Sequence, residues 1–193
     1  MNLDELRASC IVCEKCGLCQ TRTNVVFGTG VPDAEVMFIG EGPGQREDEQ
    51  GLPFVGRSGQ LLDRYLQSVD LSRDKNIFIA NIVKCRPPNN RDPLAEEWAA
   101  CLPWLEEQFR IIKPKIVVCL GRIAAQRMIR PDFSVTKEHG QWTEKDGILY
   151  TATLHPAALL RNPSQKPIAF EDFVTLREKI KEVCTRTYPQ QED

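Results

Sequence analysis

Val36-Met37-Phe38-Ile39-Gly40-Glu41-Gly42-Pro43-Gly44 opens on a short apolar run and passes at once into a glycine-rich turn. An uninterrupted apolar run bounded by turn residues reads as a strand buried on both faces, as in parallel sheets. The glycines and Pro43 hold a turn in which a ligand can approach main-chain atoms closely. Glu41 and Glu47 stand at its mouth, and Phe54 follows within Gly51-Leu52-Pro53-Phe54-Val55-Gly56. Open α/β sheets bind ligands just beyond the carboxyl ends of their strands. The expected guest is flat and polar, stacked on the Phe54 ring with backbone amides at its edge.

Similar strands recur outward from this stretch. Residues 77–82, 116–121 and 150–154 are apolar and read as strands, while 3–10, 58–66, 94–109, 121–128 and 170–184 read as helices. Ser58 suits an N-cap, Pro156 suits a first helical position, and Asp146-Gly147 marks a hairpin. The residues after 184 read as frayed. Strands alternating with helices predict a three-layer α/β/α sandwich with a central, mostly parallel four-stranded sheet, in one domain covering all 193 residues. Glu41, Asn81 and His155 then fall at equivalent ends of three strands, an active-site arrangement.

The formal net charge of -2 argues against broad coating of nucleic acid but leaves room for a local basic face. No apolar run approaches the roughly 20 residues of a membrane span, and no secretory signal opens the chain, so a cytoplasmic location is expected. Eight cysteines are many for such a protein. Cys10, Cys13, Cys16 and Cys19 follow at three-residue steps, and C-x2-C spacing lets thiolates converge on one metal centre. Zinc or an iron–sulfur cluster would be satisfied by any four.

The chain resembles the uracil-DNA glycosylases, most closely the family 4 iron–sulfur type. The resemblance rests on Gly40–Gly44 with Glu47-Asp48, on 51–56, on Asn81-Ile82-Val83-Lys84-Cys85-Arg86-Pro87-Pro88, and on His155-Pro156-Ala157-Ala158-Leu159-Leu160-Arg161-Asn162-Pro163. It implies a [4Fe-4S] cluster on Cys13, Cys16, Cys85 and Cys101, with Cys10/Cys13 or Cys16/Cys19 as alternative N-terminal pairs. The cluster's implied role is structural. The implied reaction flips uracil out of DNA and hydrolyses its N-glycosidic bond. Asn81 would read the base, Phe54 would stack on it, and Glu47 would wall off the thymine methyl where Gly44 replaces a tyrosine of related glycosylases. His155 and the amides near Gly42 would stabilise charge on uracil O2, and Glu41, with Glu47 second, would act beside the sugar. Arg161, Lys84 and Arg86, with Lys166 and Arg91, are expected at DNA, and Leu159 or Leu160 as a wedge. The implied partner is uracil-containing DNA, and the enzyme is expected to be a monomer. A non-catalytic iron–sulfur nucleic-acid-binding protein of the same fold is the competing reading, and a redox protein built on the N-terminal cysteines a third.

Overall fold

The computed structural model describes residues 1–188. Helix α1 (Leu3–Cys10) leads to a short edge strand β1 (Thr29–Gly30), then β2 (Val36–Gly40), α2 (Gln45–Gln50), α3 (Arg57–Ser68) and β3 (Ile77–Asn81). There follow α4 (Ala95–Ile112), β4 (Ile116–Leu120), α5 (Arg122–Met128), α6 (Val135–Glu138), β5 (Thr143–Lys145), β6 (Ile148–Thr153), α7 (Pro156–Arg161) and α8 (Lys166–Val183). β2, β3 and β4 are buried at every position. Those side chains have helices above and below them, which is why the strands read as continuous apolar runs.

The sheet has six strands in the order β1-β3-β2-β4-β6-β5. The four long strands are parallel, as the sequence predicts. The additions are β1 and β5, short antiparallel strands at the two edges. β5 is the hairpin partner of β6, and Asp146 and Gly147 both take positive φ in the turn between them. Since β2 connects to β3 on one side and β4 lies on its other side, chain direction across the sheet reverses beside β2, where such folds open a crevice.

Two further differences have local causes. Helix α3 starts at Arg57 on Gly56, not on Ser58, because Gly56 already takes the extended cap conformation. Residues after 184 are not all frayed. The buried Glu35 carboxylate, at the head of β2, accepts from the backbone N–H of Thr185, Arg186 and Thr187 and pairs with Lys115 at 2.8 Å. Burial opposes its ionisation, but Lys115 and these donors outweigh it and hold the carboxyl well below the usual range. Tyr188 adds a 2.6 Å bond to the Val69 carbonyl. The expectation of fraying otherwise falls on residues 189–193, outside the described ones.

Candidate active site

The carboxyl ends of the parallel strands border one cleft of about 610 Å³, a size that admits a nucleobase-scale ligand. Gly40 and Asn81 end β2 and β3 as ladder partners. Asn81 is buried, and its Oδ1 has no hydrogen-bond partner among the described residues. An unpaired buried acceptor is costly, so its presence in a cleft wall asks for a donor from outside the chain. A Cβ on Gly40 would collide with this oxygen and come within 2.7 Å of the Phe54 ring. Glycine there lets both side chains close on the strand end.

Phe54 has φ 52°, a left-handed conformation that strains an aromatic residue and persists only when its surroundings enforce it. Arg73 supplies the enforcement. It donates to the Pro53 carbonyl at 2.7 Å and the Phe54 carbonyl at 3.1 Å while paired with Asp63 at 2.8 Å. Glu47 holds the same segment from the other side, its Oε1 accepting from Val55 and Gly56 N–H at 2.9 and 3.0 Å. A Cβ on Gly44 would lie 2.9 Å from the other Glu47 oxygen, so the missing side chain leaves room for this carboxylate.

His155 caps α7, its Nδ1 accepting from Ala157 N–H at 3.0 Å. A ring nitrogen that accepts carries no proton, so the neutral imidazole bears its hydrogen on Nε2. Burial, reinforced by Arg161 and opposed by Glu47, pushes its pKa down to about 4. The neutral tautomer with an Nε2 donor is therefore the form present near neutrality. Its ring lies 5.8 Å from that of Phe54, tilted by 34°. Gly121, at φ 90°, makes this possible, because a Cβ there would stand 2.8 Å from the His155 Cβ.

Glu41 is half-buried in the same cleft. Burial first, then the Asp92 carboxylate, raise its pKa to about 7 against the pull of Arg122. Two carboxylates thus differ in kind: Glu47 is spent on backbone amides, while the Glu41 side chain has no hydrogen-bond partner among the described residues and its pKa is raised to about 7.

The sequence profile of the uracil DNA glycosylase superfamily matches residues 27–180, from the start of the sheet into α8. The chain belongs to this superfamily. It is 46% identical over 186 residues to a Type-4 uracil-DNA glycosylase of Sulfurisphaera tokodaii, covering 92% of this chain and 84% of that one. The Type-4 enzyme of Archaeoglobus fulgidus is 39% identical, with 97% and 96% covered, and that of Saccharolobus solfataricus 42% identical, with 93% and 87% covered.

A second pocket of this glycosylase-family chain lies under α1 and α4 and is lined by Cys10, Cys13, Cys16, Cys19, Cys85 and Cys101. Nitrogen donors reach three of these sulfurs: Trp104 Nε1 to Cys13 at 3.3 Å, Arg22 to Cys85 at 3.3 Å and Lys84 N–H to Cys101 at 3.2 Å. Such bonds suit thiolates that carry negative charge as ligands of a cluster. Among the described residues no three Cys, His, Asp or Glu gather around one point as a single ion would require.

Other expected contacts need correction. Lys84 is not at the DNA surface but 1% exposed, its ammonium donating to the Asn81 carbonyl at 2.8 Å and to Gln108 at 2.7 Å. It braces the strand end that carries Asn81, a role hidden because strand and loop merge there in sequence. Leu159 is 1% exposed, packed in the core as the inward face of α7, and cannot wedge into a helix; Leu160 is half-exposed. Arg161 is exposed and lines the cleft, whereas Arg86 is half-buried, bonds Asn90 at 2.8 Å and does not line it. Sequence reasoning missed Arg73, Asp92 and Arg122, whose only mark in the sequence is a charge beside a turn.

Proposed function

We propose that this chain excises uracil from DNA, hydrolysing the N-glycosidic bond to release the free base and leave an abasic site. One observation carries the reading: the buried, unpaired Asn81 Oδ1, set beside Phe54 and across the cleft from a proton-bearing His155 Nε2. Uracil presents an N3–H donor to that oxygen and O4 as acceptor for the amide NH2 of the same side chain. Phe54 stacks on the flipped ring. Glu47, tied to the Val55 and Gly56 amides, forms the wall that the thymine methyl would meet.

Bond cleavage leaves negative charge on uracil O2 and positive charge on the sugar. His155 Nε2–H donates to O2 without transferring its proton, and the fixed tautomer costs no reorganisation at that moment. Glu41, ionised, orients the attacking water and faces the cationic sugar. Liberation of free uracil from a uracil-containing oligonucleotide is the test. No release at enzyme excess, by a protein that still binds the oligonucleotide, would favour the non-catalytic reading.

The proposed cofactor is a [4Fe-4S] cluster on Cys13, Cys16, Cys85 and Cys101; bound there, it ties the N-terminal segment to the loop before α4 and takes no part in hydrolysis. Iron content should fall on Cys13→Ala, Cys16→Ala, Cys85→Ala or Cys101→Ala and persist on Cys10→Ala or Cys19→Ala. A Cys85→Ala protein that keeps its full iron would move the ligand set to the N-terminal quartet. As proposed, the enzyme acts as a cytoplasmic monomer on uracil-containing DNA; no described helix is long and apolar enough to cross a membrane.

Glu41 gives a pH signature. Its raised pKa leaves it protonated below about 7 and ionised above. The single-turnover rate is therefore expected to be level above about pH 7 and to fall as the pH drops below it, by at most about tenfold per unit. His155, already neutral, adds no second fall until near pH 4. Glu41→Gln should lower and flatten the profile; an unchanged slope in that variant would assign the titration elsewhere.

A further inference from the structure

Three arginines line the cleft, and they are held very differently. Arg91 makes two charge-assisted bonds, at 2.6 and 2.8 Å, to Glu97, whose side chain is only 7% exposed. Such a fork is costly to break and belongs to the start of α4. Arg161, at the end of α7, has no carboxylate partner among the described residues. Arg122, the first residue of α5, is bound to Asp92 through one 2.9 Å contact, with the two side chains 56% and 58% exposed. The pair joins the loop before α4 to the turn after β4, so it spans two walls of the cleft. An exposed single-bond pair is worth little and is readily exchanged for another anion.

We propose that Asp92 and Arg122 form a releasable latch on the cleft rim, in which a DNA phosphate replaces Asp92 as the partner of Arg122 when DNA docks on the cleft. The inference rests on the reading of the cleft as the uracil site. Glu41 sits beneath this rim, and a cation that leaves its carboxylate for a phosphate couples entry of the DNA to the charges around the reacting sugar. The exchange explains why an acidic residue lines a cleft that must accept a polyanion: Asp92 occupies Arg122 while no DNA is bound and so weakens non-specific adhesion. Arg161 on the other wall is ready without release.

A merely structural bridge and a latch predict different signs. If the pair only braces the two loops, Asp92→Asn and Arg122→Gln break the same contact and act in the same direction. If it is a latch, they act oppositely. The measurement is fluorescence-anisotropy binding of a labelled, uracil-free DNA duplex by the intact, iron-loaded protein over a salt series. Arg122→Gln is expected to weaken binding and to reduce the slope of log affinity against log salt by about 0.9, one phosphate contact. Asp92→Asn should tighten binding by about two- to fivefold at low salt, the release of an exposed ion pair. The double variant should bind as Arg122→Gln does. Weakening by both single variants, or an unchanged salt slope in Arg122→Gln, overturns the latch. Uracil release by the unmodified protein is measured in parallel. Its absence would sink the function itself, whereas normal release with same-sign binding effects sinks the latch alone.

Discussion

His155→Asn is expected to slow uracil excision under single-turnover conditions by about a hundredfold or more while leaving the thermal melt nearly unmoved. The asparagine oxygen can accept from Ala157 N–H as Nδ1 now does, so the cap of α7 survives. What is lost, in the proposed mechanism, is the Nε2–H that donates to uracil O2 as charge develops there. Removing one such donor typically costs about 3 kcal/mol of barrier. His155→Ala should lose the same rate and about 1 kcal/mol of stability besides, because the cap goes too. In the proposed mechanism capping and catalysis are one arrangement, because the cap bond to Nδ1 leaves the proton on Nε2. A normal excision rate in His155→Asn would leave the histidine a structural residue and shift the stabilisation of O2 to the amides around Gly42.

Asn81→Ala should be comparably severe for base selection. It removes the acceptor for N3–H and the donor for O4 together, an expected loss of about 2–4 kcal/mol in the barrier. Asn81→Asp keeps the acceptor, discards the donor to O4, and when protonated presents a pattern that cytosine can use. Excision should be compared on uracil- and cytosine-containing oligonucleotides, with base release as the readout. Undiminished uracil release by Asn81→Ala would take this residue out of the pocket. Folding is a separate matter in both variants, since Lys84 grips the main-chain carbonyl of residue 81 and not its side chain.

The four parallel strands were legible because a strand covered on both faces has no polar alternation to blur it. The edges were harder: β1, two residues long, carries no period, and β5, short and polar, was marked only by the Asp146-Gly147 hairpin turn. Glu41, Asn81 and His155 were singled out by position at strand ends, and Phe54 by the segment that follows the glycine-rich turn. Arg73 did not, because its effect on Phe54 depends on a fold-back across 19 residues. Lys84 misled for a related reason. Charge in a loop usually means solvent, yet here the polar side chain of Gln108 supplies a buried partner that only the packing of α4 brings near. Leu159 and Leu160 share a helix, and which of them faces inward is a matter of rotation about its axis that six residues cannot fix. Glu47 was seen as a site residue, but its commitment to two backbone amides separates its role from that of Glu41.

The clasp on Glu35 has a consequence for how the chain is made. Its partners lie 150 to 152 residues downstream. At synthesis rates of about 5–20 residues per second, they leave the ribosome about 8–30 s after the carboxylate does. Every strand and every cleft residue has emerged before them, and Lys115 alone can meet Glu35 in the meantime. The nascent chain thus carries a nearly complete cleft whose central strand still begins at an under-satisfied buried anion. A chain cut within α8 would keep every strand and every cleft residue yet leave the Glu35 carboxylate without its Thr185–Thr187 donors, a cleft that is built but not locked.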